Sequence, residues 1–481
     1  MKFLKAIVPA ALVMGMASAA HAQTYLRLTG STAYRSNVHT AISDLTIWDA
    51  GSLKAVYTGS SGLLNSSQVL FTGTTGSGAT TITIATSWTG SEAGNEQVSA
   101  QLVMPNAQAF LTGVPAGSFA AVSPGGAGGA SVAATFQTDT TAADVAMSDT
   151  YQSTSQFYNS SLNLDVVPSG ASNPVSFPAL TSAASGITGS LSGTGIVGIV
   201  PFKFCASQGS ALTNITQQLA KALWSAGQLS LSEFTSNSAD VGTTGVITAG
   251  PAGGGNGKWV FASGRNPDSG TRLTALSEIG LGALAPVLQF QPTNGSGAQI
   301  VTANSGSIAS NLQFPSGVVN YININKSNNG YASGGNLAKA INNPTTSMQF
   351  IAAPTSKSIL GGQYIAYLGT NDADPQITAT SHIVELAYNG VTLGIPGGTL
   401  RPDGTYNYNS TSTLLYGAYS FWGYEHMYYN TASPNLISSN PNSANNQLLA
   451  DSIASQLFTA DAVVLFSNMK VTRSGDGGTI R

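Results

Sequence analysis

The chain has 481 residues, 8% of them charged and 42% apolar, with Lys+Arg 17 against Asp+Glu 20 for a net charge of −3. No basic run is present that could track a nucleic acid or an acidic membrane surface, which excludes a nucleic-acid-binding chain. The 55 glycines and the abundance of Ser, Thr and Asn suit a loop-rich exported protein, while the apolar share permits a core and the length permits two or three domains.

Lys2 and Lys5, the apolar run Ala6 to Met16 and the small residues Ala20-His21-Ala22 predict a secretory signal peptide over residues 1–22, cleaved before Gln23. The run is short for a bilayer span, no cysteine follows the cleavage point to carry a lipid, and no later apolar run is long enough for a transmembrane helix. A soluble exported protein is expected. The single cysteine, Cys205, excludes an intramolecular disulfide and reads as a small buried residue. His21, His39, His382 and His426 are scattered without metal-ligand spacing, so neither a metal nor a cofactor is expected.

Tyr25 to Thr29 alternates like a strand and runs into Gly30-Ser31-Thr32-Ala33. Val38, Ile42 and Leu45 then mark one face of a helix that Ser31 or Thr32 would cap. Arg35, one helical turn beyond Thr32, is expected to face solvent. FTGTT and TITIAT read as strands around the flexible GSG at 76–78, and Trp88 to Gly94 is a small polar turn before a possible helix. Residues 95 to about 142, with PAGSF and SPGGAGGAS, read as an inserted loop or small flap. Asp144 to Asp149 is a short strand ending in a serine and a carboxylate, a position usually held by a turn former.

Gly195 to Cys205 is a long β-branched run that belongs in the centre of a sheet or crosses between two lobes. A helix from Thr213 to Ala226 and the segment LSLSEF lead to the apolar Trp259-Val260-Phe261. The loop Ser263 to Thr271 follows, and after it Leu273, Leu276, Ile279 and Leu281 recur at helical spacing. A helix start carrying free N–H groups, two hydroxyls and the Arg265 guanidinium is chemically a site for an oxyanion. The plainer reading is a cap, with Asp268 or Ser269 accepting from the first N–H groups.

Beyond Leu284 the region 290–345 is poorly patterned apart from the strand-like Val318 to Ile324. Tyr364 to Leu368 and Ile383 to Tyr388 look like strands. Tyr416, Tyr419, Phe421, Trp422, Tyr424, Tyr428 and Tyr429 read as core packing before a helix from Asn446 to Leu457. Strands alternating with helices argue for α/β layers.

Three polar turns and one strand-end carboxylate stand in a fixed order: GST at 30–32, TGSEAG at 89–94, MSD at 147–149 and RNPDSGT at 265–271. In that order the chain resembles the periplasmic phosphate-binding proteins that deliver phosphate to ABC importers. The resemblance covers most of the chain in outline and about twenty residues in specific motifs. It implies a two-lobed, hinged α/β fold, with lobe 1 over 23–194 around an insertion at about 95–142. Lobe 2 would cover 195–380 around an insertion at about 290–345, and 381–481 would return to lobe 1. It also implies a periplasmic, monomeric, non-enzymatic protein that binds inorganic phosphate between its lobes for an ABC importer complex.

Carried over by position, the resemblance makes Ser31, Thr32 and Ser91 donors, Asp149 an acceptor, and Arg265 with Ser269, Gly270 and Thr271 the main oxyanion cradle. An acid two residues after the arginine usually orients the guanidinium in the family, whereas Pro267 holds that place here and Asp268 comes one later. The alternative function is an exported structural or surface-attachment protein reusing this fold, which the Gly/Ser/Thr/Asn-rich insertions and low charge would suit.

Overall fold

In the computed structural model of the chain, the described residues are 24–100, 109–155, 181–182, 195–241, 258–267, 269–292, 301–303, 309–312, 330–343, 347–352, 355–359, 363–397, 406–430 and 432–481. The signal segment, Asp268 and Val318 to Ile324 lie outside them. The chain divides into two compact units, one of Met1–Val200, Thr399–Asn409 and Tyr424–Asn468, the other of Pro201–Gly398, Ser410–Gly423 and Met469–Arg481.

The first unit begins with β1 (Thr24–Gly30) and α1 (Arg35–Asp44). β2 (Lys54–Thr58) follows, and the runs FTGTT and TITIAT fall in β3 (Gln68–Thr75) and β4 (Thr80–Ser87). The turn between β3 and β4 is tied down by the Asp49 carboxylate, which accepts from the N–H groups of Ser77 at 2.9 Å and Gly78 at 2.6 Å. After α2 (Ser91–Ala100) comes β5 (Val145–Ser148). β1 lies parallel to both β4 and β5, so three parallel strands stand side by side with their C-terminal ends together. Ligand-binding loops collect at such ends in open α/β sheets.

The segment 95–142 is not simply an inserted flap. Its first residues complete α2, where Asn95 and Val98 are fully buried, and Ala120–Ser123 pairs with β2. The sequence SEAGNEQVSA has no apolar stripe because its buried face bonds to strand ends rather than packing against oil.

β6 (Ile196–Ala206) is buried along its whole length, begins in the first unit and continues into the second. Cys205 is buried in it, and burial pushes its thiol pKa well up. In the second unit α3 (Gln217–Ala226) starts later than its periodicity suggests. Thr216 takes the N-cap and accepts from Leu219 N–H at 3.2 Å, and Asn214–Ile215 forms a short strand before it. The remaining elements of this unit are β7 (Trp259–Ser263), α4 (Gly270–Glu278), α5 (Gly334–Ile341), β8 (Gln363–Gly369), α6 (Thr370–Ile377) and β9 (Val384–Tyr388). β7 and β8 are parallel neighbours, while β6 is antiparallel to both β8 and β9.

β10 (Trp422–Tyr429) returns the chain to the first unit, antiparallel to β5, and α7 (Ser443–Gln456) follows there. The aromatic cluster is buried as expected except for Tyr416, which is 66% exposed. Lys203 on β6 is buried, and its ammonium donates to Asp374 at 2.8 Å, Glu385 at 2.9 Å and the Gly394 carbonyl at 2.9 Å. Burial presses its pKa down, but the two carboxylates outweigh that and hold it above the ordinary value. Among the described residues no helix is long and apolar enough to cross a membrane, and no cluster of His, Cys, Asp or Glu could hold a metal ion.

Two buried histidines tie the first unit to pH. Trp88 Nε1–H donates to His39 Nε2 at 2.9 Å, which leaves the ring proton on Nδ1, 3.0 Å from the Leu64 carbonyl. His426 stacks on Tyr428 with ring centroids 5.3 Å apart. Burial, joined at His39 by the Arg35 charge, lowers each pKa from 6.5 to about 3. The unfolded chain therefore holds more protons between those values, and stability present above pH 6.5 is lost as pH falls toward 3. The loss is at most about 1.4 kcal/mol per pH unit for each ring. Urea midpoints should fall through this window, and less steeply in His39→Gln. A midpoint constant from pH 7 to pH 4 would contradict this.

Candidate functional site

The residues singled out by sequence fall into two polar clusters, one in each unit. In the first unit, β4, β1 and β5 end at Ser87, Gly30 and Ser148, and the three motifs continue directly from those ends. Gly30 has φ +117°, and a Cβ there would lie 2.0 Å from the Met147 carbonyl oxygen, so only glycine lets the chain turn this close to β5. The turn is then closed by Ser31 N–H donating to Met147 O at 2.9 Å and Gly90 N–H donating to Gly30 O at 2.9 Å.

Neither Ser31 nor Thr32 caps α1. The cap position belongs to Tyr34 without a side-chain bond, because a turn over 31–34 delays the helix start. The Ser31 hydroxyl is buried and makes no hydrogen bond of normal geometry. Thr32 beside it is half-buried. Arg35 is half-buried rather than solvent-facing, with its Nε shut away from water.

Ser91 opens α2 and donates its hydroxyl proton to Asp149 Oδ1, while Asp149 N–H donates back to Ser91 Oγ at 3.3 Å. The pair fixes the carboxylate at the N-terminus of α2, where the helix dipole favours negative charge. Behind it lies a network that the motifs do not reveal. Glu92 Oε2 accepts from Ser155 Oγ at 2.9 Å, and Asn95 Nδ2 donates to Ser148 Oγ at 3.2 Å. Glu92 sits inside the TGSEAG motif, and a carboxylate in the first helical turn was the available signal.

In the second unit, Arg265 leaves the end of β7 with only 1% of its surface exposed. Its Nε donates to the Tyr331 carbonyl at 3.0 Å and its Nη2 to the Ala332 carbonyl at 2.9 Å. Its own carbonyl accepts from Gln289 Nε2 at 2.8 Å and Arg272 Nη1 at 3.2 Å. The guanidinium is thus oriented by backbone oxygens from the poorly patterned region 290–345, a task for which the sequence offers no acid at position 267. Asp372, at the head of α6 on the end of β8, comes close as well. A Cβ on Gly334 would lie 2.0 Å from Asp372 Oδ2 and 3.2 Å from Arg265 Nη1.

Ser269 does cap α4, its hydroxyl oxygen accepting from Arg272 N–H at 3.4 Å, and its O–H remains a possible donor. Gly270 and Thr271 form the buried first turn of α4, where helical N–H groups lack intrahelical partners. Both the cap and the oxyanion reading of this loop are therefore chemically open to the same residues.

No known family model matches the chain, and no curated protein is significantly similar to it. Among solved structures it is similar to a Clostridium perfringens chain described as a phosphate ABC transporter substrate-binding protein with bound phosphate. That pair shares 8% identity and a TM-score of 0.38 over 91% of this chain and 98% of the other. It is also similar to a phosphate-binding protein from Stenotrophomonas maltophilia, at 16% identity and TM-score 0.31 over 84% of this chain and 78% of that one. A further phosphate-binding protein from the same organism gives 13% identity and TM-score 0.31 over 85% and 79%. All three are distant likenesses.

Gly30→Ala should lower the unfolding free energy of the first unit by about 1–3 kcal/mol, since both the left-handed backbone and the Met147 carbonyl oppose a methyl group. Gly51→Ala, which has a positive φ but nothing within 4 Å, should cost less. Urea denaturation of the two variants compares them, and equal losses would show that the close approach contributes nothing.

Proposed function

We propose that the chain is an exported, periplasmic solute-binding protein that takes inorganic phosphate and hands it to an ABC importer. It acts as a monomer and as a carrier rather than an enzyme. The observation that carries this reading is the chemistry gathered at the ends of parallel strands in each unit. In one unit Arg265 and the first turn of α4 follow the end of β7, and in the other Ser31, Thr32 and Asp149 follow the ends of β1 and β5. The order of the four motifs, as in the phosphate-binding family, supports reading both sets as oxyanion ligands.

Each group has a separate task in this reading. Arg265 supplies charge and a forked donor, and the α4 terminus with Ser269, Gly270 and Thr271 supplies directed N–H and O–H groups. Ser31 and Thr32 donate from the first unit. Ser91 contributes through the carboxylate it holds. Asp149, which can only accept when ionised, binds a phosphate O–H and repels a fully ionised sulfate.

Arg265→Ala should weaken phosphate binding by at least about a hundredfold, because it removes two charge-assisted bonds of roughly 1.5–3 kcal/mol each, and Thr271→Ala or Thr32→Ala should weaken it less. Calorimetric titration of the folded variants measures this, and unchanged affinity in Arg265→Ala would refute the assignment. Asp149→Asn should weaken phosphate binding and relax the exclusion of sulfate, since an amide can donate where the carboxylate repels. A phosphate-to-sulfate ratio unchanged in competition titrations would return Asp149 to the role of turn former.

A further inference from the structure

Glu425 lies on β10, whose pairing with β5 sets Ser148 opposite His426. Asp149 and Glu425 are the next residues along from that pair, and the Asp149 charge acts on Glu425. Glu425 is fully buried, and neither of its carboxyl oxygens makes a hydrogen bond of normal geometry. The buried Ser31 hydroxyl is in the same condition, and it acts on Glu425 without a well-formed bond. Two carboxyl groups and a hydroxyl are therefore neighbours where the ends of β1 and β5 face the middle of β10, all within the first unit.

A carboxylate buried without donors costs several kcal/mol, roughly the range that makes such a group take up a proton instead. Asp149 has the Ser91 hydroxyl as a donor and the N-terminus of α2 beside it. Glu425 has neither. Burial first, and the Asp149 charge second, push its pKa well above the usual carboxylate range, with Ser31 pulling weakly the other way.

We propose that Glu425 is a further ligand of the oxyanion, a neutral carboxylic acid that donates its O–H to a phosphate oxygen while its neighbour Asp149 accepts from a phosphate O–H. This rests on the phosphate reading above and deepens it. One donating and one accepting carboxyl, fixed side by side, read both states of a partly protonated anion. Sulfate can satisfy Glu425 but not Asp149, and an uncharged alcohol lacks the oxyanion that Glu425 addresses. The buried donor adds no charge to the cluster, so it attracts the ligand without screening Asp149.

The test uses the full chain at pH 7 and inorganic phosphate as the probe. The difference infrared spectrum of parent minus Glu425→Gln should show the C=O stretch of a protonated carboxylic acid. Glu425→Gln, whose amide still donates, should keep phosphate affinity within about threefold, whereas Glu425→Leu, which cannot donate, should lose at least about tenfold. Absence of the acid band, or parental affinity in a folded Glu425→Leu, overturns the proposal. If Glu425→Leu does not fold, the band and the retained affinity of Glu425→Gln decide in its place, a large loss in Glu425→Gln counting against. A parent that binds no phosphate but shows the band would refute the phosphate reading and the ligand role, leaving only the buried acid. Those two failures are thus told apart.

Discussion

A guanidinium removed from water has to be given acceptor oxygens, and the local structure of the second unit follows from meeting that demand at Arg265. The chain leaves β7 and is joined by Tyr331, whose N–H donates to Gly264 O at 2.9 Å and whose carbonyl accepts from both Asn266 N–H and Arg265 Nε. Tyr331 is in turn anchored by its hydroxyl, which donates to Pro292 O at 2.9 Å. The backbone of Arg265 is held from the opposite side by the Tyr367 hydroxyl at 3.2 Å. Tyr331 and Ala332 are therefore tied to the arginine, and α5 starts two residues beyond Ala332. Carbonyl oxygens thus orient the fork, and the Asp372 carboxylate lies near its Nη1 side.

The other buried cations make the distinction sharper. Lys203 has three N–H donors and three acceptors, two of them carboxylates, so it is a closed structural knot of the second unit. Arg473 donates to Glu278 at 3.2 Å and to the carbonyls of Trp422 and Ser420, and its guanidinium lies 4.4 Å from the Trp422 ring centroid. Burial drives the Glu278 pKa up more than Arg473 draws it down, as expected where desolvation of a pair outweighs its attraction. These groups are absorbed by packing within one unit. Arg265 and Asp149 instead follow the ends of parallel strands, with Glu425 on the antiparallel neighbour of one of them.

Much of the architecture was legible because strands such as Ile196–Ala206 and Gln363–Gly369 carry long apolar runs whose burial needs no partner information. The mixed α/β class follows from them. α2 was obscured because its buried face is polar: Glu92 and Asn95 are inside because strand-end hydroxyls satisfy them, and periodicity counts only apolar residues. The candidate ligands in GST, TGSEAG, MSD and RNPDSGT could be read from local chemistry, since turn glycines, hydroxyls and a helix start lie within a few residues of one another. Tyr331, Ala332, Asp372 and Glu425 could not. Each reaches its cluster from a distant segment, and Glu425 sits within an aromatic run that signals only core.

The position of Glu425 also bears on why so charge-poor a chain keeps an acid at a fully buried place. A leucine or phenylalanine there would extend the apolar packing of β10, whose eight residues are all buried, and would remove a polar group with no hydrogen-bond partner of normal geometry. Replacing unpaired buried polar groups by apolar ones is ordinarily neutral or stabilising. The Ser31 hydroxyl, which lies next to it, likewise makes no hydrogen bond of normal geometry and acts weakly on Glu425. The proposed ligand would satisfy both of these adjacent buried groups, which cost stability beside a carboxylate held by Ser91.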